Sequence, residues 1–164
     1  MLPPVPHLTR TDTALLTLVA VNATNKQISL DTGLSAHTVP DAVRQMLQRT
    51  GTVNRVHAAA WAAARGLAGT PQPIPDMPRA TRFSEILSGW ASGRTNEELA
   101  TEMGISVGTV RGYGKEVLRC LGVRSQVRAA VVGVLGGLVR LDRIDPSWLP
   151  VPLYAPAAPA RRSR

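Results

Sequence analysis

The sequence predicts an all-α chain built from two tandem four-helix units. Three observations carry that expectation. Apolar residues recur at three- and four-residue spacing, as in Leu15, Leu16 and Val19, which is the period of a half-buried helix. Hydrophobic residues make up 44% of the 164 residues but aromatics only 4%, which points to a small-residue helical core of Ala, Val and Leu. The segment 15–67 also aligns without gaps on 86–138 at an offset of 71, with 15 of 53 positions identical. The identities fall at structural points: Thr24/Thr95 and Asn25/Asn96, Gly33/Gly104 and Ser35/Ser106, Thr38/Thr109 and Val39/Val110, Gly51/Gly122, and Gly66-Leu67/Gly137-Leu138. Shared composition would scatter matches among the alanines; these lie at turns and caps, as a duplication requires.

In order, residues 1–7 read as a short disordered lead holding three prolines. The first unit spans 8–67. Its first helix opens at Leu8–Asp12 and runs to about Val21, with Leu15, Leu16 and Val19 as its apolar stripe. Thr24–Thr32 is a short second helix ended by Gly33. Ser35 is placed to cap a third helix running towards Arg49. Pro40, five residues in, would then cost about 3 kcal/mol, unless the helix starts late with Pro40 in its first turn. Asn54–Arg65 is an alanine-rich fourth helix. Residues 68–80 form a linker with four prolines. The second unit spans 81–140, and 141–164 is a proline-rich basic tail in which Trp148, Leu149, Leu153 and Tyr154 are candidate docking residues.

Charge bounds the partners. A formal net charge of +8 and a pI near 11.2 favour polyanions. The start, MLPPVPH, lacks a basic region followed by an apolar run, so no signal peptide is expected. The longest apolar run, Ala129–Val139, is too short to span a bilayer. Cys120 is the only cysteine, which excludes an intrachain disulfide and fits a soluble cytoplasmic protein. His7, His37 and His57 are scattered. With no metal-binding pair, no paired cysteines and no phosphate-binding glycine loop, neither an enzyme nor a metal or cofactor site is expected.

The stretch Thr95–Val123 carries the functional expectation. Gly104 sits at a turn that favours a left-handed backbone, and Ser106 is an N-cap for the helix that follows. That helix places Val110, Gly114, Val117 and Leu121 on one side. Gly108, Arg111, Gly112, Lys115 and Arg119 lie on another. A short acidic helix, a turn and a longer helix with a basic stripe describe a DNA-binding helix-turn-helix.

Both copies resemble the LuxR/GerE-type helix-turn-helix, a four-helix output domain of bacterial regulators. The resemblance rests on Gly93-Arg94-Thr95-Asn96-Glu97-Glu98-Leu99-Ala100, Thr109-Val110-Arg111, Leu121-Gly122-Val123, Ala129 and Gly137-Leu138. It implies two tandem LuxR-type domains whose partner is double-stranded DNA. It further implies base contacts from Arg111, Gly112 and Lys115, where Arg111 offers a two-pronged donor to guanine. Phosphate contacts are implied from Thr95 and Asn96, with Thr109, Tyr113 and Arg119 as further candidates. The second copy departs from the family pattern at Gly114, which costs a mid-helix roughly 1 kcal/mol, at Cys120 for a lysine and at Gln126 for an arginine.

The first copy is degenerate where it matters. Pro40, Asp41 and Arg44 stand where the second has Arg111, Gly112 and Lys115, leaving Lys26, Arg44 and Arg49 for weak backbone contact. The fourth helix of the second copy, taken as Val127–Val139, is apolar nearly all round, so it is expected to bury two faces. Two arrangements follow: the fourth helices pack together within the chain as a pseudo-dimer, or each pairs with its counterpart in a homodimer. The expected function is a sequence-specific transcriptional regulator. The alternative is a helical protein-interaction module, a partner or antagonist of a regulator; a sigma-factor-like promoter module fits less well.

Overall fold

The computed structural model describes residues 7–69 and 81–144. Among them every regular element is a helix: α1 Arg10–Ala20, α2 Asn25–Thr32, α3 Val39–Thr50, α4 Arg55–Ala64, α5 Thr81–Ala91, α6 Asn96–Met103, α7 Val107–Leu121, α8 Gln126–Leu135 and the short α9 Leu141–Ile144. The lead over 1–6, the linker over 70–80 and the tail over 145–164, with Trp148, Leu149, Leu153 and Tyr154, lie outside the described residues.

Local chemistry accounts for the helix ends. Thr9, Thr24 and Thr95 each cap a helix reciprocally: the hydroxyl accepts from the amide three residues on, while Asp12, Gln27 or Glu98 accepts the cap amide. Chain reversals use left-handed residues that pair at the 71-residue offset: Asn22 and Gly93, Gly33 and Gly104, Gly51 and Gly122, Gly66 and Gly137. Helix order and turn geometry therefore recur along the chain.

Two helices differ from the sequence expectation. α3 starts at Val39, with Pro40 inside its first turn, so the late start is the one adopted. Ser35 does not cap it; the Ser35 hydroxyl accepts from the Thr38 amide (3.1 Å) in the preceding turn, and Thr38 makes no side-chain cap. Proline has no amide hydrogen to bond a carbonyl one turn back, so the backbone before it stays a turn. By contrast α7 starts straight after Ser106, whose hydroxyl accepts from the Thr109 amide (3.0 Å). α8 ends at Leu135 rather than Val139, because Gly136-Gly137 reverses the chain and the Leu138 amide bonds back to the Gly133 carbonyl (2.9 Å).

The core is continuous through both halves. α1 packs on α4, α5 on α8, and the most extensive helix pair is α4 with α8. α1 also touches α8, and α5 touches α4. Ala58 to Ala63 are all buried, as are Ala129, Ala130 and Val131. An alanine surface lets two helices approach closely and removes both from water on nearly all sides. Polar contacts run reciprocally across this seam. The Asn54 amide group donates to the Gly93 carbonyl (2.9 Å), and the Arg128 guanidinium donates to the Ala20 carbonyl (3.0 Å) at the end of α1. A side chain on residue 93 would strike Val53 Cγ2 at 2.4 Å, and its φ is +83°, so both the approach and the turn require glycine there.

Each half then ties its first and third helices differently. In the first, Asp12 is fully buried and clasps Arg49 through two bonds of 2.9 and 2.6 Å. In the second, Phe83 meets Tyr113 edge to face at 6.5 Å between centroids. Burial alone would raise the Asp12 carboxyl, but hydrogen bonds from Arg49 and from the Thr9 hydroxyl and amide hold it below its ordinary value. A depressed carboxylate stabilises the fold above its unfolded pKa and ceases to do so as pH falls through the folded one. Asp12→Asn is therefore expected to cost about 2 kcal/mol at neutral pH. The gap to wild type should shrink below about pH 4 in urea titrations, and a gap that stays constant into acid would contradict the assignment.

Candidate nucleic-acid interface

α7 is amphipathic. Val110, Gly114, Val117 and Leu121 face inward, all buried, against α5 and α6. The mid-helix glycine has a packing reason: a side chain on residue 114 would meet the Trp90 ring at 2.9 Å. At the corresponding places of the first half stand Val19 and Val43, two medium residues where the second half has one large and one absent side chain. The helix-propensity loss at Gly114 is thus offset by burying Trp90, which is 2% exposed.

The outward face of α7 carries Gly108, Arg111, Gly112, Lys115 and Arg119, all exposed. The three expected base-reading positions, Arg111, Gly112 and Lys115, therefore share one accessible surface. Arg111 also touches α6, its guanidinium donating to Glu97 at 3.3 Å. That contact brings the start of α6, where Thr95 and Asn96 lie, beside the basic face. Thr95 is exposed, and its hydroxyl accepts from the Glu98 amide (3.2 Å) as part of the cap. Asn96 is half-buried, and its side-chain oxygen accepts from the Trp90 indole (3.0 Å), which fixes the amide group. Thr109 is exposed beside the Ser106 hydroxyl (2.8 Å). Tyr113 is half-buried against Phe83.

Arg119 lies farther along α7 and bonds Glu116 twice, at 3.0 and 2.7 Å, which strengthens its hold on its proton. Arg94 is likewise paired with Glu102 at 2.7 Å. The face is thus basic but laced with carboxylates. Such exposed pairs add little to stability.

The corresponding surface of the first half is different. Pro40 and Asp41 are exposed on α3, and Asp41 pairs with Arg44 at 2.6 Å. Arg49 gives two of its nitrogens to Asp12, so of the three first-half cations expected near DNA it is the one tied to the fold. Lys26 is exposed on α2. Leu30, three-quarters exposed, is an apolar side chain on the outside of the same helix.

Residues 81–132 match the family model of bacterial regulatory proteins of the luxR family. They form a LuxR-family domain. No curated protein and no solved structure matches the chain. The LuxR-family match takes in α5, α6, α7 and most of α8, hence every residue expected to touch DNA in the second half. Among the described residues no cluster of metal-ligating side chains occurs, and no helix is long and apolar enough to cross a membrane.

Sequence reasoning missed Glu97, Asn54 and Arg128 as contact residues. The Asn54 and Arg128 contacts join residues 39 and 108 positions apart, a relation no local pattern carries. Glu97 had a weak signal, as a second acidic residue in a turn whose cap needs only Glu98.

Proposed function

We propose that the chain is a sequence-specific DNA-binding transcriptional regulator in which α7 enters the major groove. The reading is carried by one observation: Arg111, Gly112 and Lys115 stand together, exposed, on the second helix of a LuxR-family helix-turn-helix. Arg111 offers two parallel donors to a guanine, Lys115 supplies a second cation one turn on, and Gly112 lets the helix backbone come close. Thr95, Asn96, Thr109, Tyr113 and Arg119 hold flanking phosphates and set the register of the helix without reading sequence.

The chain is a tandem pair of LuxR-type domains, residues 8–67 and 81–140. The first is degenerate and touches DNA, through Lys26 and Arg44, at most through the backbone. The recurrence of caps and left-handed turns at one offset supports the pairing. The α4–α8 seam makes an intramolecular pseudo-dimer, and its reciprocal contacts support that arrangement. The exposed Leu30 and Asp41 favour a second role for the first half as a protein-docking surface rather than a DNA reader.

Titration of a labelled duplex at increasing salt tests the reading. The neutral groups release no counterions, so the cations of the face, Arg111, Lys115 and Arg119, set the slope, and about three neutralised charges predict that affinity falls roughly 10–100-fold between about 50 and 200 mM salt. Absence of any salt-sensitive duplex binding would turn the assignment to the protein-interaction module.

A further inference from the structure

We infer that Glu97 is a specificity-determining positioning residue that acts on DNA reading through Arg111. The inference rests on the reading of α7 as the base-contacting helix. Glu97 lies in the first turn of α6, yet it is not the capping carboxylate, because Glu98 accepts the Thr95 amide at 2.7 Å. Its Oε1 instead accepts from a terminal nitrogen of Arg111 at 3.3 Å, across the turn between the two helices. Both side chains are 63% exposed, so this pair contributes little to the fold, and its placement on the outward face calls for another account.

A guanidinium carries five donor hydrogens. One bond to Glu97 leaves the other edge of the fork free for the O6 and N7 of a guanine. An unrestrained arginine loses rotamer freedom when it docks; one already held at the edge of the base-reading face loses less. The same carboxylate carries a negative charge towards the phosphates, which lowers affinity for every sequence alike. It is repaid only where Arg111 finds a guanine. Glu97 therefore weakens wrong sites more than right ones, and discrimination by one added repulsion and one restrained donor is how specificity exceeds affinity.

Glu102 makes the control. It is a carboxylate on the same helix, exposed and paired at 2.7 Å, but with Arg94 rather than Arg111. The experiment compares the full chain with Glu97→Gln, Glu102→Gln, Arg111→Ala and the Glu97→Gln/Arg111→Ala pair. The probes are the duplex that wild type selects from a random pool and the same duplex with its Arg111-dependent guanine changed to adenine. Circular dichroism confirms that each variant is folded.

Both charge removals should tighten binding to the altered duplex a few-fold. Only Glu97→Gln should lower the ratio of right to wrong affinity, by roughly tenfold, and it should leave the ratio unchanged where Arg111 is already alanine. A ratio that falls equally in Glu102→Gln, stays at the wild-type value in Glu97→Gln, or falls without Arg111 overturns the inference while leaving the reading of α7 intact. A wild-type chain that selects no sequence overturns both.

Discussion

Placing a carboxylate at residue 60 is expected to cost about 3–5 kcal/mol, among the largest losses a single substitution in this chain can cause. Ala60 is fully buried on α4. It lies one helical turn beyond His57, whose side chain faces Gly93 of the other half, on the helix that makes the most extensive contact with α8. The buried stretches of the two helices, Ala58 to Ala63 on α4 and Ala129 to Val131 on α8, are apolar. A carboxylate would be left uncompensated or forced to bind a proton. Ala60→Asp should lower the unfolding midpoint for both halves together, because one core runs through them. Ala64→Asp, at a half-buried position one turn on, should cost distinctly less. Equal and small losses at both positions would mean that the α4–α8 seam does not hold the chain together.

The second large effect is on binding. Arg111→Ala with Lys115→Ala should abolish preference for the selected duplex, with affinity falling about 100-fold or more, while melting temperature stays within a few degrees of wild type. Both side chains are exposed on α7, and among the described residues the only ion pair involved is the Arg111–Glu97 contact at the surface, so stability has little to lose. The matching change in the first half, Arg44→Ala, should leave sequence preference unaltered, since Arg44 is already paired with Asp41 behind Pro40. Fluorescence anisotropy on matched and scrambled duplexes checks all three. Full specific binding by the double variant would remove α7 from the account.

What could be foreseen from sequence was set by short-range chemistry. Thr95 with Glu98, Gly104 and Ser106 specify a helix start, a left-handed turn and a second start within a dozen residues, so α6 and α7 were legible. The exposure of Arg111 and Lys115 followed from helical period alone. α3 was ambiguous because Ser35 and Pro40 give conflicting start signals; the missing amide hydrogen of proline decided in favour of the later one. α8 was drawn too long, since Gly136-Gly137 sits inside an unbroken apolar run and apolarity does not distinguish a helix from the turn after it.

Long-range relations were not legible. The Asp12–Arg49 clasp joins residues 37 apart, and it ties to the fold a cation that charge alone would assign to DNA. The exchange of Val19 and Val43 for Trp90 and Gly114 is visible only when the two halves are compared as packed objects. The Glu97–Arg111 contact depends on how closely α6 and α7 approach, which spacing within either helix does not fix.

On the proposed reading α7 alone reads DNA, within a chain whose α4 and α8 already pack against each other. Selection of bound sequences from a random duplex pool, with the mass of the complex measured in solution, tests it most directly. The account predicts a single non-palindromic motif containing a guanine, bound by one chain. An inverted repeat bound by two chains would contradict it.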